Sequence, residues 1–251
     1  MFDLHGRVAV VTGASAGLGR QMALALAGQG ADMVLLARRL DRLEAVAEEC
    51  RAKGVRALAV KCDVTKEEEV QAAAAAAVKE FGKVDILVNN AGRGFPGKLE
   101  EYPTEGWRTV LGVDLDGVFF CTREFGKEMI KNRYGRIINI ASVLGWGGLK
   151  QLSVAGYHAA KGAVINFTRS TACEWGKYGI NCNCICPGFF PSEANTPEKF
   201  AKMIPMIEDH TALSRHGVDG ELDSTVIYLA ADESSYVTGV ILCCDGGWTA
   251  N

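Results

Sequence analysis

The chain has 251 residues, of which 48% are hydrophobic and 23% are charged, and these proportions are ordinary for a soluble globular protein. Its 27 Lys and Arg residues and 30 Asp and Glu residues give a formal net charge of −3, which argues against a protein that binds nucleic acid or a membrane surface through charge. No apolar run reaches the roughly 18 residues that a membrane-spanning helix needs, and the first residues lack the pattern of a secretion signal. The nine cysteines, an odd number, fit a reducing compartment, so we expect a cytoplasmic protein without nucleic-acid or membrane partners.

Short apolar runs alternate with longer helical patterns along the chain. The runs typical of strands span residues 8–11, 33–36, 57–60, 86–88, 136–140, 180–185 and 240–243. Helical patterns lie near residues 18–29, 41–53, 66–81, 104–131, 157–177 and 220–231. Because strands that are apolar throughout have both faces covered, this order predicts a doubly wound α/β fold with a parallel seven-stranded sheet and helices on both faces. No linker-like segment divides the chain, so we expect a single domain over residues 1–251.

Residues 189–217 break this alternation. The segment contains three prolines together with bulky apolar residues, and loops of this length are usually functional or disordered. Its apolar content favours a lid over a disordered loop.

A glycine-rich turn follows the first strand and opens the first helical pattern. Its sequence is Thr12-Gly13-Ala14-Ser15-Ala16-Gly17-Leu18-Gly19. Glycine lets the backbone take positive φ and approach a ligand closely, and a helix N-terminus directs free N–H groups and the positive end of its dipole towards an anion. A tight turn without a ligand is the simpler alternative. The strand before the turn, the helix after it and its place near the chain start favour the pyrophosphate of a dinucleotide.

The end of the second strand bears on which dinucleotide is bound. An acidic residue there would bind the adenosine ribose 2′-hydroxyl of NAD, whereas an arginine accommodates the 2′-phosphate of NADP. The sequence has Arg38 and Arg39 at this point, and the first acidic residue is Asp41. We therefore expect NADP, with NAD as the other candidate. The alternative interpretation of the two arginines is a solvated helix start.

Tyr157 and Lys161 stand four residues apart in a helical pattern, which puts them on one face about one turn apart. A tyrosine with a pKa of about 10 exchanges protons poorly at neutral pH, and a nearby ammonium would lower that pKa. Tyrosine and lysine at this spacing are also common on exposed helices. The pair indicates a proton-transfer site only in combination with the glycine-rich turn.

Several motifs together make the chain resemble the short-chain dehydrogenase/reductase family over essentially its full length. They are Thr12-Gly13-x-x-x-Gly17-x-Gly19, Cys62-Asp63-Val64, Asn89-Asn90-Ala91-Gly92, Ile138-Asn139-Ile140-Ala141-Ser142, Tyr157-x-x-x-Lys161, Pro187-Gly188 and Asp245-Gly246-Gly247. The resemblance implies a Rossmann-type fold and NAD(P)-dependent interconversion of a secondary alcohol and a ketone. It also implies a homotetramer built from the C-terminal region and long helices.

The same resemblance implies roles for individual residues. Tyr157 would be the general acid/base, Ser142 would polarise the substrate carbonyl, and Lys161 would contact the nicotinamide ribose and lower the Tyr157 pKa. Tyr157 and Lys161 thus also belong to the expected cofactor site. Its other candidate residues are Gly13, Ser15, Ala16, Gly17, Leu18, Gly19, Arg38, Arg39, Asp63, Val64, Asn90, Ala91, Gly92, Pro187, Gly188, Phe190 and Ser192.

The chain departs from the family pattern at three places. Asp114 occupies the position of a fourth catalytic residue, an asparagine, so we expect Asp114 in the catalytic set and a proton relay that would have to pass an aspartate. The interval from Ser142 to Tyr157 is 15 residues, longer than in relatives, which implies an enlarged loop at residues 145–152. Ala16 replaces a basic residue that NADP-using relatives often carry in this turn.

Cysteine and histidine patterns predict no metal site. Cys182, Cys184 and Cys186 share one face of a strand, but a spacing of about 6.5–7 Å is too wide for three sulfurs around one zinc ion. The four histidines have no ligand spacing. His158 is expected to point away from the active face, and His210 could touch a substrate near the lid.

The sequence therefore predicts an NADP-preferring oxidoreductase that acts on a small-molecule ketone or secondary alcohol. Apolar residues at the expected pocket mouth suit a hydroxysteroid-like ketone, whereas residues 101–103 and 187–191 resemble gluconate 5-dehydrogenases and favour a keto-sugar acid. A 3-oxoacyl-acyl-carrier-protein reductase is a third option, and a dinucleotide-binding sensor without catalysis is an alternative of another class. The mouth residues are Phe95, Trp146, Leu149, Phe189, Phe190 and Met203.

Overall fold

The computed structural model describes residues 2–191 and 197–250, and its strands form one parallel sheet. The strands are β1 (Val8–Thr12), β2 (Asp32–Ala37), β3 (Ala57–Lys61), β4 (Ile86–Asn89), β5 (Gly135–Ile140), β6 (Ile180–Pro187) and β7 (Ile241–Cys244). The helices are α1 (Gly17–Gly28), α2 (Leu40–Arg51), α3 (Glu67–Phe81), α4 (Thr104–Leu111), α5 (Gly117–Asn132), α6 (Ala155–Trp175), α7 (Pro197–His210) and α8 (Asp223–Ala230).

The sheet is doubly wound, as the alternation of apolar runs and helical patterns predicted. Its strand order is β3-β2-β1-β4-β5-β6-β7, and β1, β4, β5 and β6 are buried along their whole length. One hydrophobic cluster packs α1, α2 and α8 against one face, and a second packs α3 and α5 against the other. The direction of winding reverses between β1 and β4, and such a switch point leaves a crevice at the carboxyl ends of the strands.

The helix predicted over residues 104–131 contains a turn of π-helix. α4 and α5 are joined without a break by Gly112–Asp116, and the residues at both junctions keep right-handed helical φ and ψ. A π-turn widens the helix by one residue and so changes which side chains face inward. Asp114, in the middle of this turn, is fully buried. A hydrophobic pattern with a 3.6-residue period does not predict this change in which side chains face inward.

The segment predicted as a lid contains a helix that the sequence analysis did not foresee. α7 begins with Pro197, where the missing N–H costs nothing, and includes Pro205 in its interior. Phe200 and Ile207, two turns apart, are its buried side chains. The His210 ring at the end of α7 stacks on Trp248 with the ring centres 5.0 Å apart.

No helix within residues 2–191 and 197–250 is long and apolar enough to cross a membrane.

Candidate active site

The glycine-rich turn lies between β1 and α1, at the switch point of the sheet. Gly13 has φ of +66° and Gly17 has φ of +53°, so the turn uses backbone conformations that favour glycine. α1 begins at Gly17, and the preceding Ala16 provides no side-chain cap for the first amides of the helix. A Cβ at Gly17 would meet no atom within 4 Å. An uncapped helix start beside open space fits the phosphates of a dinucleotide.

Hydrogen bonds of Asn90, which follows β4, connect this turn to the neighbouring strand. Its side-chain Nδ2 donates to the Thr12 carbonyl at 2.9 Å, and the Thr12 hydroxyl accepts the backbone amides of Asn90 and Ala91, both at 2.9 Å. A Cβ at Gly19 would collide with the Asn90 amide and with the Gly13 carbonyl. The sequence placed Thr12 only within the glycine-rich motif. The structure shows that Thr12 also connects the end of β1 to the residues after β4.

The arginines predicted to select NADP lie beside the same turn. Arg39 donates from Nη2 to the Ser15 hydroxyl at 3.2 Å, and Arg38 is exposed. A cavity of about 310 Å³ lies between the turn and α2. Arg20 and Arg42 line it and were missed from the sequence, although Arg42 follows Arg39 by one helical turn. The cavity is lined by Ser15, Ala16, Gly17, Arg20, Arg42, Ala45, Val46 and Glu49.

The other predicted cofactor residues line the carboxyl edge of the sheet. Asp63 accepts the Thr65 amide at 3.0 Å, and Val64 packs against the helix at Gly117. The Gly188 amide donates to the Cys244 carbonyl at 3.0 Å. The Phe190 ring is buried against Gly217, so any contact with a cofactor there would come from its backbone. The predicted Ser192 lies outside the described residues.

Ser142, Tyr157 and Lys161 meet beyond the end of β5. Lys161 is buried; its Nζ lies 5.4 Å from the centre of the Tyr157 ring and donates to the Ile140 carbonyl at 2.9 Å. The Ser142 hydroxyl acts on the Tyr157 phenol, whose pKa it lowers, and it accepts the Leu144 amide at 3.1 Å. The structure thus brings a hydroxyl, a phenol and an ammonium into one cluster. The Ile140 carbonyl was not foreseen, because a backbone acceptor leaves no signal in the sequence.

Asp114 belongs to this cluster. Its Oδ1 lies 3.0 Å from Lys161 Nζ, without the alignment of a hydrogen bond, and its Oδ2 accepts the Arg93 amide at 2.8 Å. A Cβ at Gly92 would lie 2.9 Å from Asp114 Oδ1 and 3.5 Å from Lys161 Nζ, so only glycine leaves room for this contact. Burial raises the pKa of Asp114, whereas the Lys161 ammonium and the Arg93 amide lower it, and the net direction is upward. The donor that faces each carboxyl oxygen favours the ionised form.

Burial and charge oppose each other at Tyr157. Burial raises the pKa of Tyr157, the Lys161 ammonium lowers it, and Asp114 raises it again, with a net upward direction. Burial works to lower the pKa of Lys161, but Asp114 and Tyr157 outweigh it, so the ammonium form is held. Lys161 lowers the Tyr157 pKa, as the family resemblance implied, but burial and Asp114 outweigh that effect.

The cysteines and histidines singled out in the sequence contact other protein atoms. All nine cysteines are free thiols, and the sulfurs of Cys184 and Cys186 lie 4.0 Å apart. Within the described ranges, no group of three or more His, Cys, Asp or Glu side chains is arranged to hold a metal ion. The His158 ring meets the Leu144 carbonyl at 2.6 Å, and the His210 ring meets the Met206 carbonyl at 2.9 Å.

Comparison with known proteins identifies a family for this chain. The family model described as short chain dehydrogenase matches residues 7–202. The 3-oxoacyl-(acyl-carrier-protein) reductase of Staphylococcus epidermidis is 38% identical over 95% of this chain and 97% of that protein. The gluconate 5-dehydrogenase of Gluconobacter oxydans is 34% identical over 100% of this chain and 98% of that protein.

A solved structure extends this similarity to three dimensions. The gluconate 5-dehydrogenase of Burkholderia cenocepacia, solved in complex with NADP and tartrate, superposes with a TM-score of 0.94 at 35% identity. The alignment covers 100% of this chain and 98% of that one. The fold, the matched family model and the full-length relatives lead to one conclusion: the chain belongs to the short-chain dehydrogenase/reductase family.

Proposed function

We propose that this oxidoreductase prefers NADP and interconverts a secondary alcohol and a ketone, with Tyr157 as the general acid/base. The observation that carries the proposal is the cluster of Ser142, Tyr157 and Lys161 beside a turn that fits dinucleotide phosphates. We also propose that the chain acts as one cofactor-binding and catalytic domain. Its membership of the short-chain dehydrogenase/reductase family agrees with chemistry at a CH–OH group.

In the proposed mechanism, the nicotinamide supplies or accepts the hydride when it is bound. Ser142 donates a hydrogen bond to the substrate oxygen and polarises the carbonyl. Tyr157 gives its phenolic proton to that oxygen during reduction and takes it back during oxidation. The Lys161 ammonium lies beside the Tyr157 ring and favours the phenolate form, and Ile140 and Asp114 hold Lys161 in place.

We expect Arg38→Ala and Arg39→Ala each to raise the KM for NADPH by about 10- to 100-fold, since a hydrogen bond to a charged group contributes roughly 1.5–3 kcal/mol. The KM for NADH, which lacks the 2′-phosphate, should stay nearly unchanged. The position of Arg39 against Ser15 supports this assignment. Steady-state kinetics with both coenzymes would measure the effect.

Arg51→Ala is the matched control, because Arg51 lies at the opposite end of α2 and pairs with Glu48 at 2.6 Å. It should leave both KM values as they are. An unchanged NADPH-to-NADH ratio in both test variants would mean that Arg38 and Arg39 are solvated surface residues.

For the substrate we propose an acidic hydroxy compound of the keto-sugar acid class. Arg93 directly follows Gly92, its backbone amide bonds to Asp114, and its exposed guanidinium pairs with no carboxylate in the described residues. A cation at the site's edge suits a substrate carboxylate. Several expected apolar mouth residues contact neighbouring residues: the half-buried Phe95 and Phe189 pack against Tyr102 and Trp248, and the buried Phe190 packs against Gly217. These contacts make a hydroxysteroid-like ketone the less favoured substrate.

Reduction of a 3-oxoacyl thioester is the second candidate function. It is supported by the 38% identity to the Staphylococcus epidermidis reductase, which covers nearly the full length of both proteins. The exposed Arg93 suits the anionic carrier of such a substrate as well as it suits a sugar acid.

The decisive experiment is a spectrophotometric screen with NADPH and NADH. The panel would contain 5-ketogluconate, acetoacetyl-CoA and a 3-ketosteroid, with Tyr157→Phe as the blank. Preferred turnover of 5-ketogluconate supports the sugar-acid assignment, and preferred turnover of the thioester replaces it with the second candidate. Coenzyme binding without turnover of any ketone would instead favour the non-catalytic sensor.

We further propose that the protein is a homotetramer. Phe119 and Trp107, on α5 and α4, are large apolar side chains that remain 42% and 37% exposed in the single chain. Exposed aromatic residues on long helices are typical of subunit interfaces.

A further inference from the structure

The pairing of Asp114 with Lys161 sets this chain apart from the family pattern, which has an asparagine at this position. Asp114 is fully buried in the π-turn, and Lys161 is 3% exposed. A neutral asparagine amide would leave the Lys161 charge uncompensated, whereas a carboxylate at 3.0 Å balances it.

We propose that Asp114 is a positioning residue that serves as the fixed counter-ion of Lys161 and keeps Tyr157 protonated to higher pH than an asparagine would. The inference rests on the proposed function, in which Tyr157 exchanges the proton. It assigns to Asp114 a role that acts through Lys161, without contact with the substrate.

The ammonium group of Lys161 has three N–H donors. One is donated to the Ile140 carbonyl at 2.9 Å, and Asp114 Oδ1 lies 3.0 Å from the same nitrogen. The ammonium is therefore held from two sides. In a buried site the interaction of two charges is weakly screened, so the Asp114 carboxylate opposes the field that Lys161 exerts on the phenol.

Four side chains from different parts of the fold act on the Tyr157 phenol. Lys161 comes from the same helix, Asp114 from the π-turn, Ser142 from the loop after β5, and Cys186 from the end of β6. Contact with Cys184 and burial both raise the pKa of Cys186, so its thiol is neutral at physiological pH. Among these neighbours, Lys161 and Asp114 are the charged ones, and they act on the Tyr157 pKa in opposite directions.

The consequence differs for the two directions of the reaction. Reduction of a ketone needs the protonated phenol, which this arrangement supports at neutral pH. Oxidation of the alcohol needs the phenolate, so its rate should rise with pH into the alkaline range. The chain is thus built to work as a reductase at neutral pH.

The test is the pH dependence of kcat/KM for alcohol oxidation in the wild type and in Asp114→Asn. The asparagine keeps the shape of the side chain but removes its charge, and Lys161 then stabilises the phenolate. The rising limb of the profile should move towards acid by about one pH unit or more. Asp116→Asn is the matched control, because Asp116 lies in the same π-turn but is exposed, and its profile should overlay the wild type.

A second readout is independent of turnover. The tyrosinate absorbance of the coenzyme-free protein is titrated in the wild type and in Tyr157→Phe, and the difference gives the midpoint of Tyr157. The same difference between Asp114→Asn and the Asp114→Asn/Tyr157→Phe double variant should give a lower midpoint. This titration still tests the role of Asp114 if no panel compound is turned over, in which case the proposed function alone has failed.

If circular dichroism shows that Asp114→Asn does not fold, Asp114→Ser, a smaller neutral variant, takes its place. A folded neutral variant with the wild-type midpoint and profile would overturn the proposal, as would a shift towards alkali. A loss of rate with an unshifted profile would mean that Asp114 supports the structure only.

Discussion

Replacing Tyr157 with phenylalanine is expected to lower kcat by a factor of about 10³ or more while the affinity for NADPH stays within about twofold of the wild type. The substitution removes only the phenolic oxygen, so the ring can keep its place near Lys161. The hydroxyl of Ser142 would remain, but nothing in the cluster could then deliver a proton to the substrate oxygen. Lys161 is tied to Ile140 and Asp114, and a water molecule would be a poorly placed substitute.

Stopped-flow or steady-state rates with the best panel ketone would measure the loss, and fluorescence titration would measure coenzyme affinity. Tyr236→Phe makes the same chemical change at a fully exposed position and should leave both quantities unchanged. Turnover of Tyr157→Phe at the wild-type rate would refute the assignment of Tyr157 as the acid/base.

The sheet and the nucleotide-binding turn could be predicted from the sequence because their signals are local. Each strand is a short apolar run, and all seven fall within one or two residues of the predicted bounds at nearly every end. The turn from Thr12 to Gly19 carries its own glycine spacing. α7 was missed because its prolines resemble loop signals, although Phe200 and Ile207 are spaced by two helical turns.

The charges of the site could be predicted only in part. Tyr157 and Lys161 are close in sequence, so helical geometry alone relates them. The contact between Asp114 and Lys161 joins residues 47 positions apart and depends on the π-turn, which no hydrophobic period encodes. The sequence indicates that Asp114 departs from the family pattern. Its ionic partner Lys161 follows only from the packing of the π-turn against α6.

A buried set of polar side chains holds the catalytic helix against the sheet. Asn89 on β4 donates to Asn139 on β5 at 2.9 Å and to Thr122 on α5 at 3.0 Å. Asn139 in turn donates to Thr168 on α6 at 2.9 Å. Because buried donors left without partners are costly, these bonds fix the position of α6, which carries Tyr157 and Lys161. Asn89 and Asn139, which belong to the family motifs, thus position the helix that carries the catalytic side chains.

Gly19→Ala is expected to weaken NADPH binding by roughly 100-fold, equivalent to about 3 kcal/mol, and to lower the melting temperature. The added methyl group would collide with the Gly13 carbonyl and the Asn90 amide, both held by backbone contacts. Relieving the collision would break the 2.9 Å bond from Asn90 to the Thr12 carbonyl and separate the two turns that meet at the switch point. The phosphate-binding amides of α1 would then no longer face the crevice.

Gly28→Ala is the matched control, since Gly28 ends the same helix and an added Cβ would find only Lys53 Nζ, at 4.0 Å. Alanine favours the helix over glycine by about 0.5–1 kcal/mol, so this variant should be at least as stable as the wild type and should bind NADPH normally. Fluorescence titration and thermal unfolding of the two variants would separate a local steric effect from a general effect on α1. Normal coenzyme affinity in Gly19→Ala would show that the nucleotide binds elsewhere. Binding of phosphates at this turn requires the turn after β1 and the Asn90 segment after β4 to keep their positions.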